Sequence, residues 1–168
     1  IGTSTVDGDL TLLSGGTITD TDSSTVTVKG TLSATTDASN SAITLNDLTV
    51  TGSVALATNG SGNATVVNDT ALDLAASTVG GDLTATATTG NVTQSGALDI
   101  NGTGTSTITA SASGADITLY NPDNDFEGNV STTGDDVKLW ATDTMSLGAA
   151  TVTGNYTVTA GTTITDCA

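Results

Sequence analysis

The side chains in this sequence that could do chemistry are almost all carboxylates. Eighteen Asp and Glu residues stand against two lysines, Lys29 and Lys138, with no His and no Arg, for a formal net charge of −16. Without His there is neither a Ser/His/Asp triad nor an imidazole-based metal site. The one cysteine, Cys167, can build neither a thiolate cluster nor an internal disulfide. Carboxylate-only chemistry remains. Asp135-Asp136 offers an acid/base pair for polysaccharide cleavage, but neighbours on a strand point to opposite faces, so two solvated turn carboxylates are the simpler reading. Asp123, Asp125 and Glu127 place three hard oxygen ligands in one short segment, as Ca²⁺ requires. That segment has neither EF-hand spacing nor the Gly-Gly-x-Gly-x-Asp nonapeptide of calcium β-rolls, and a corner in which Asn and Asp satisfy turn amides explains it as well. Asp20 and Asp22 are a weaker cation candidate. The expectation is no enzyme and no cofactor, with calcium at Asp123, Asp125 and Glu127 as the metal candidate.

Charge and composition narrow the remaining classes. Nucleic-acid binding is excluded, because phosphate neutralisation needs cations that this chain lacks. No apolar run approaches the ~18 residues of a membrane helix. Aromatics make up 2% of the chain while hydrophobic residues reach 36%, so any core is thin and built of Ala, Val, Leu and Ile. Thr supplies about a quarter of the residues, and with Val and Ile it favours extended backbone. Tyr120 and Trp140 are the only pair large enough to nominate as a binding cluster, with core or edge packing as the plainer role. Asn-x-Ser/Thr triplets at Asn59, Asn63, Asn68, Asn91, Asn101, Asn129 and Asn155 are possible glycan acceptors.

These residues sit on a repeat. Glycine recurs at Gly8, Gly30, Gly52, Gly81, Gly102, Gly128 and Gly154, at intervals of 22, 22, 29, 21, 26 and 26 residues. Two residues before each stands an apolar side chain: Val6, Val28, Val50, Val79, Ile100, Phe126 and Val152. After each glycine polarity alternates with the period of two of a half-buried strand. A unit of 21 to 29 residues cannot bury its apolar face alone and must stack on its neighbours. The expectation is an all-β, right-handed parallel β-helix of about seven coils, a single domain over residues 1–168. Seven coils at ~4.8 Å make a rod of roughly 34 Å. The seven apolar residues should form one internal stack, and the glycines should supply positive φ at its corners. Thr-x-Thr pairs such as Thr84/Thr86, Thr105/Thr107 and Thr157/Thr159 would align into hydroxyl-methyl arrays like the ice-binding face of some β-helical antifreeze proteins.

Several stretches also resemble a known family. Ala71-Leu-Asp-Leu-Ala-Ala-Ser-Thr-Val-Gly-Gly-Asp-Leu-Thr-Ala85, Gly90-Asn-Val-Thr-Gln-Ser-Gly96 and Asn124-Asp-Phe-Glu-Gly-Asn-Val-Ser131 are similar to repeats of filamentous-haemagglutinin-type exoproteins. The likeness covers most of residues 71–166. It implies the shaft of a large bacterial adhesin exported by two-partner secretion, located at the cell surface or secreted, with no secretion domain or outer-membrane barrel pattern recognisable here. The chain begins at Ile1 without a Met or a signal peptide, so it reads as processed or excised. The function expected is a non-enzymatic spacer or scaffold. Its partners would be adjoining repeats, a second copy stacked end to end with Cys167 as an intermolecular contact, or surface glycans and host receptors. The alternatives are ice binding through Thr-x-Thr arrays, then polysaccharide binding or cleavage.

Overall fold

Period-two alternation carries directly into structure. In the strand Leu32–Thr36, Leu32, Ala34 and Thr36 are buried while Ser33 and Thr35 are half-exposed, and Leu83–Ala87 repeats the pattern. A computed structural model describes residues 1–21, 23–101 and 104–167. Among them there is no helix, and every strand pairing is parallel. The chain winds as a parallel β-solenoid of about eight turns. Two sheets line it. One runs through Ser4–Val6, Val26–Val28, Ile43–Val50, Ala64–Asn68, Leu83–Ala87, Ser106–Ala110, Asn129–Gly134, Met145–Val152 and Ile164–Asp166. The other begins with Leu10–Ser14, Leu32–Thr36 and Ser53–Ala57, then splits into two tracks. Leu72–Leu74, Val92–Gln94, Ile117–Leu119, Val137–Ala141 and Tyr156–Ala160 form the first track, and Ser77–Val79, Leu98–Ile100 and Asp125–Phe126 the second.

Between the sheets lies a column of mostly aliphatic side chains. Ile18, Ile43, Ala64, Leu83, Ser106, Val130 and Leu147 follow one another in register. Leu10, Leu32, Val54 and Leu74 do the same in the second sheet. Small side chains suffice because successive rungs stand only ~4.8 Å apart, so each residue is covered by its counterparts above and below.

The seven apolar residues expected in one stack fall into three groups. Val6, Val28 and Val50 stack in the first sheet, Val79, Ile100 and Phe126 in the second, and Val152 pairs with Gly134 back in the first. Each coil turns from the first sheet to the second and back again, and the same Val-x-Gly signature serves both corners. The signature moves from one corner to the other in the 29-residue interval from Gly52 to Gly81 and back again between Gly128 and Gly154. Counting each as a single unit hides part of a turn, which is why seven motifs correspond to about eight turns.

The glycines work differently from the expectation. Among the described residues the glycines with positive φ are Gly60 and Gly114, neither of them in the repeating set; Gly102 lies outside the described residues. Gly8, Gly30 and Gly52 stack directly, with the Gly30 N–H donating to Gly8 O at 3.1 Å. What Gly30, Gly81 and Gly154 provide is room: a Cβ would overlap Asp9 Oδ1, Asn63 Oδ1 and Asp136 Oδ1 respectively.

Candidate functional site

Those three oxygens belong to the main polar system of the molecule. In each case the residue just before a strand's first inward side chain carries an Asn or Asp. Its side-chain oxygen accepts the backbone N–H of the equivalent residue one coil on. At the corner entering the second sheet, Asn91 Oδ1 accepts from Asp116 N at 2.9 Å, Asp116 Oδ1 from Asp136 N at 3.1 Å, and Asp136 Oδ1 from Asn155 N at 2.7 Å. At the opposite corner Asn63 Oδ1 accepts from Asp82 N at 2.8 Å and Asp82 Oδ1 from Thr105 N at 2.7 Å. Asp9 does the same for Thr31 at 2.8 Å, and Asn40, in a turn three residues before the strand Ile43–Val50, accepts from Ser61 N at 2.9 Å. Amides that the parallel ladder cannot reach at a bend are thereby satisfied. Asn and Asp both serve on these ladders, so what the position uses is a carbonyl-type acceptor.

A second set of amides is buried. Asn68 is 1% exposed and Asn124 fully buried. Asn68 Oδ1 accepts from Val50 N at 2.8 Å, while its Nδ2 donates to Val50 O at 2.9 Å and Ala71 O at 2.7 Å. The side chain thus imitates a peptide unit where the pairing of Ile43–Val50 with Ala64–Asn68 slips between Leu45 and Leu48. Asn124 exchanges reciprocal bonds with Gln94 at 2.8 and 2.9 Å, and its Oδ1 also accepts from Leu98 N at 2.9 Å. Burial also removes Asn68 from the possible glycan acceptors.

Of the carboxylates singled out from sequence, Asp136 belongs to these ladders and the other described ones lie apart from them. Asp135 and Asp136 are corner residues: Thr153 Oγ1 donates to Asp135 at 2.5 Å, and Asp136 holds Asn155. Asp20 Oδ2 accepts from the N–H groups of Asn46 and Asp47 at 2.6 and 2.9 Å; Asp22 lies outside the described residues. Asp123 closes a turn through its N–H to Asn121 Oδ1 at 3.0 Å. Asp125 and Glu127 flank Phe126, whose ring fills the core. Burial, then the neighbouring charges of Asp99, Glu127 and Asp143, push the Asp125 carboxyl above its ordinary value. This is a self-repelling acidic cluster assembled from adjacent rungs, with a membership different from the trio read along the sequence.

Two outward surfaces carry the threonine arrays and the aromatic pair expected from sequence. On the first sheet Thr19, Thr44, Thr65, Thr84, Thr107 and Ser131 lie side by side in register. A second rank holds Thr86, Thr109, Thr133 and Thr151. On the second sheet Tyr120 and Trp140 pack edge to face, with ring centroids 4.8 Å apart. Cys167 is exposed, its N–H held by Leu147 O at 2.9 Å and its Sγ accepting from Asn129 Nδ2 at 3.1 Å.

Fold and corner chemistry together define a parallel β-solenoid repeat protein whose corners are tied by Asn and Asp side chains. The chain belongs to the family described as repeats of unknown function (DUF5649), whose model matches residues 1–57, 61–133 and 134–168. No curated protein and no solved structure matches it.

Proposed function

We propose that this chain is a non-enzymatic structural module: a right-handed β-solenoid shaft segment of a bacterial cell-surface or secreted filamentous adhesin, serving as spacer and scaffold. The observation that carries the reading is the use made of its polar groups. Asp9, Asp82, Asp116 and Asp136 hold backbone amides from coil to coil, work that builds length and rigidity rather than turnover. The resemblance of residues 71–166 to filamentous-haemagglutinin repeats supports the adhesin context. The last coil supports stacking on a second copy: Ile164, in register with the buried Met145, is 49% exposed, and its strand presents an open edge. Asp166 continues the Leu147 core column, so whatever docks there must meet a carboxylate.

Electron microscopy and sedimentation of the purified chain, with and without reductant and calcium, test this reading. Eight turns predict rods about 40 Å long, and filaments of the same width establish end-to-end stacking, with Cys167 implicated if reductant shortens them. Intact producing cells should expose the chain to antibody or release it to the medium. A globular particle, or a chain confined to the cytoplasm, overturns the proposal.

Ice binding is a second reading, favoured by the two in-register threonine ranks. Of the pairs named from sequence, Thr84/Thr86 lies wholly within them. Freezing hysteresis that is abolished by Thr84→Tyr and Thr107→Tyr supports it; its absence in the intact chain removes it.

A further inference from the structure

Three large apolar side chains are exposed among the described residues: Leu13, Ile164 and Tyr120. Ile164 lies in the last coil in register with the buried Met145, and Leu13 on the outward phase of the first coil beside Thr35. Tyr120, 40% exposed, stands in the body of the rod. Its ring packs against Trp140 one rung on, and its hydroxyl reaches Thr159 Oγ1 on the following rung at 3.2 Å. An aromatic body with a polar tip, held in place by a neighbour, is a common anchor in recognition surfaces.

A second observation comes from charge. The one ion pair among the described residues joins Lys29 to Asp7. Lys138, the only other basic side chain of a chain with eighteen acids, is exposed and makes no ion pair among the described residues. It lies two residues before Trp140 on the strand Val137–Ala141, hence on the same outward face and ~7 Å away. Its neighbours on the adjoining rungs are Thr118 and Thr157, so hydroxyls flank the ammonium directly; along the same rank the nearest carboxylate is Asp73, three rungs away beyond Thr93, and Asp136, two residues before Lys138, is engaged by the N–H of Asn155. On the other track of this sheet Asp99 and Asp125 stand on adjacent rungs.

From this juxtaposition we infer that Tyr120, Trp140 and Lys138 form a subsite for an acidic sugar, a pyranose ring carrying a carboxylate. The apolar C–H face of the ring lies against the exposed aromatic surface. Its carboxylate meets Lys138, and its hydroxyls meet Thr118 and Thr157. A plain apolar partner would leave the ammonium unused, and a polyanion would be repelled by the rest of the chain. The inference goes beyond the shaft reading and stands independently of it.

Trp140 is the only tryptophan, so its fluorescence reports directly on the site. The intact chain is titrated with methyl β-D-glucuronide and, in parallel, with methyl β-D-glucoside. The expected result is a saturable change with the glucuronide that weakens as salt rises, and binding of the glucoside about two- to fivefold weaker, the scale of one exposed ion pair. Lys138→Gln, a surface change that leaves circular dichroism unaltered, should bring the two sugars to the same affinity, and Tyr120→Ala should weaken both. No saturable response to the glucuronide, equal responses to both sugars, or indifference to Lys138→Gln overturns the inference.

Discussion

The buried amides and the exposed corners do the same job in opposite surroundings. Asn68 and Asn124 satisfy backbone groups where water is absent, and the corner residues Asp9, Asp82, Asp116 and Asp136 satisfy them where water competes. The difference explains which residue type each tolerates. Asn68 must donate to two carbonyls and accept from one amide, and only a carboxamide offers both. The corner position needs an acceptor alone, so Asn91, Asp116 and Asp136 are used in succession on one ladder. Water and the open surface screen the charge there, and 18 acids accumulate without collapsing the fold.

Substitution at Asn68 is the most forceful way to break this comparison. Asn68→Asp aims a carboxylate at Val50 O and Ala71 O in a dry site and should cost at least ~3 kcal/mol, read as a shift in urea midpoint; an unchanged midpoint would mean that the amide is not needed. At the corners the limiting factor is space. Gly81→Val should cost ~1–3 kcal/mol, because its side chain must displace Asn63 Oδ1 and the backbone beneath it. Asp136→Ala, which removes an acceptor but leaves water to replace it, should cost ~1 kcal/mol. Thermal unfolding of both variants checks the order. Asp125→Asn should act in the opposite direction and least of all. The folded state raises the Asp125 pKa, so it binds that proton more tightly than the unfolded chain. Stability therefore falls as pH rises from the ordinary carboxylate value through the raised one. The variant should unfold at a slightly higher temperature than the parent at pH 7, with the gap closing in acid and in high salt.

The same contrast marks what was legible in the sequence. Period-two alternation and the glycine spacing carry the solenoid, because core and corner are local properties of each unit. The register between units is not local. Val-x-Gly marks a corner without saying which one, so Val50 and Val79 read as equivalent although they lie in different sheets. Asn68 and Asn124 do leave a signal. Each is in phase with inward neighbours, Ala64 and Val66 for the first and Phe126 for the second, and a polar residue in that phase identifies a buried acceptor and donor. The cluster around Asp125 draws on Asp99 and Asp143, one coil away on either side, and no spacing along the chain indicates it. Threonine arrays were legible from the Thr-x-Thr pairs, but their membership was not: Thr44, Thr65, Thr84 and Thr107 are separated by 21, 19 and 23 residues, irregular in sequence and adjacent in space.

The central claim is that the corner carboxylates are structural acceptors whose charge is dispensable. The direct test is the urea unfolding midpoint of the triple variant Asp82→Asn, Asp116→Asn, Asp136→Asn beside the triple Ala variant. The account predicts that the Asn triple, three negative charges lighter, matches or exceeds the parent, while the Ala triple falls by ~3 kcal/mol. An Asn triple as unstable as the Ala triple would contradict it, and would mean that the carboxylates act through their charge.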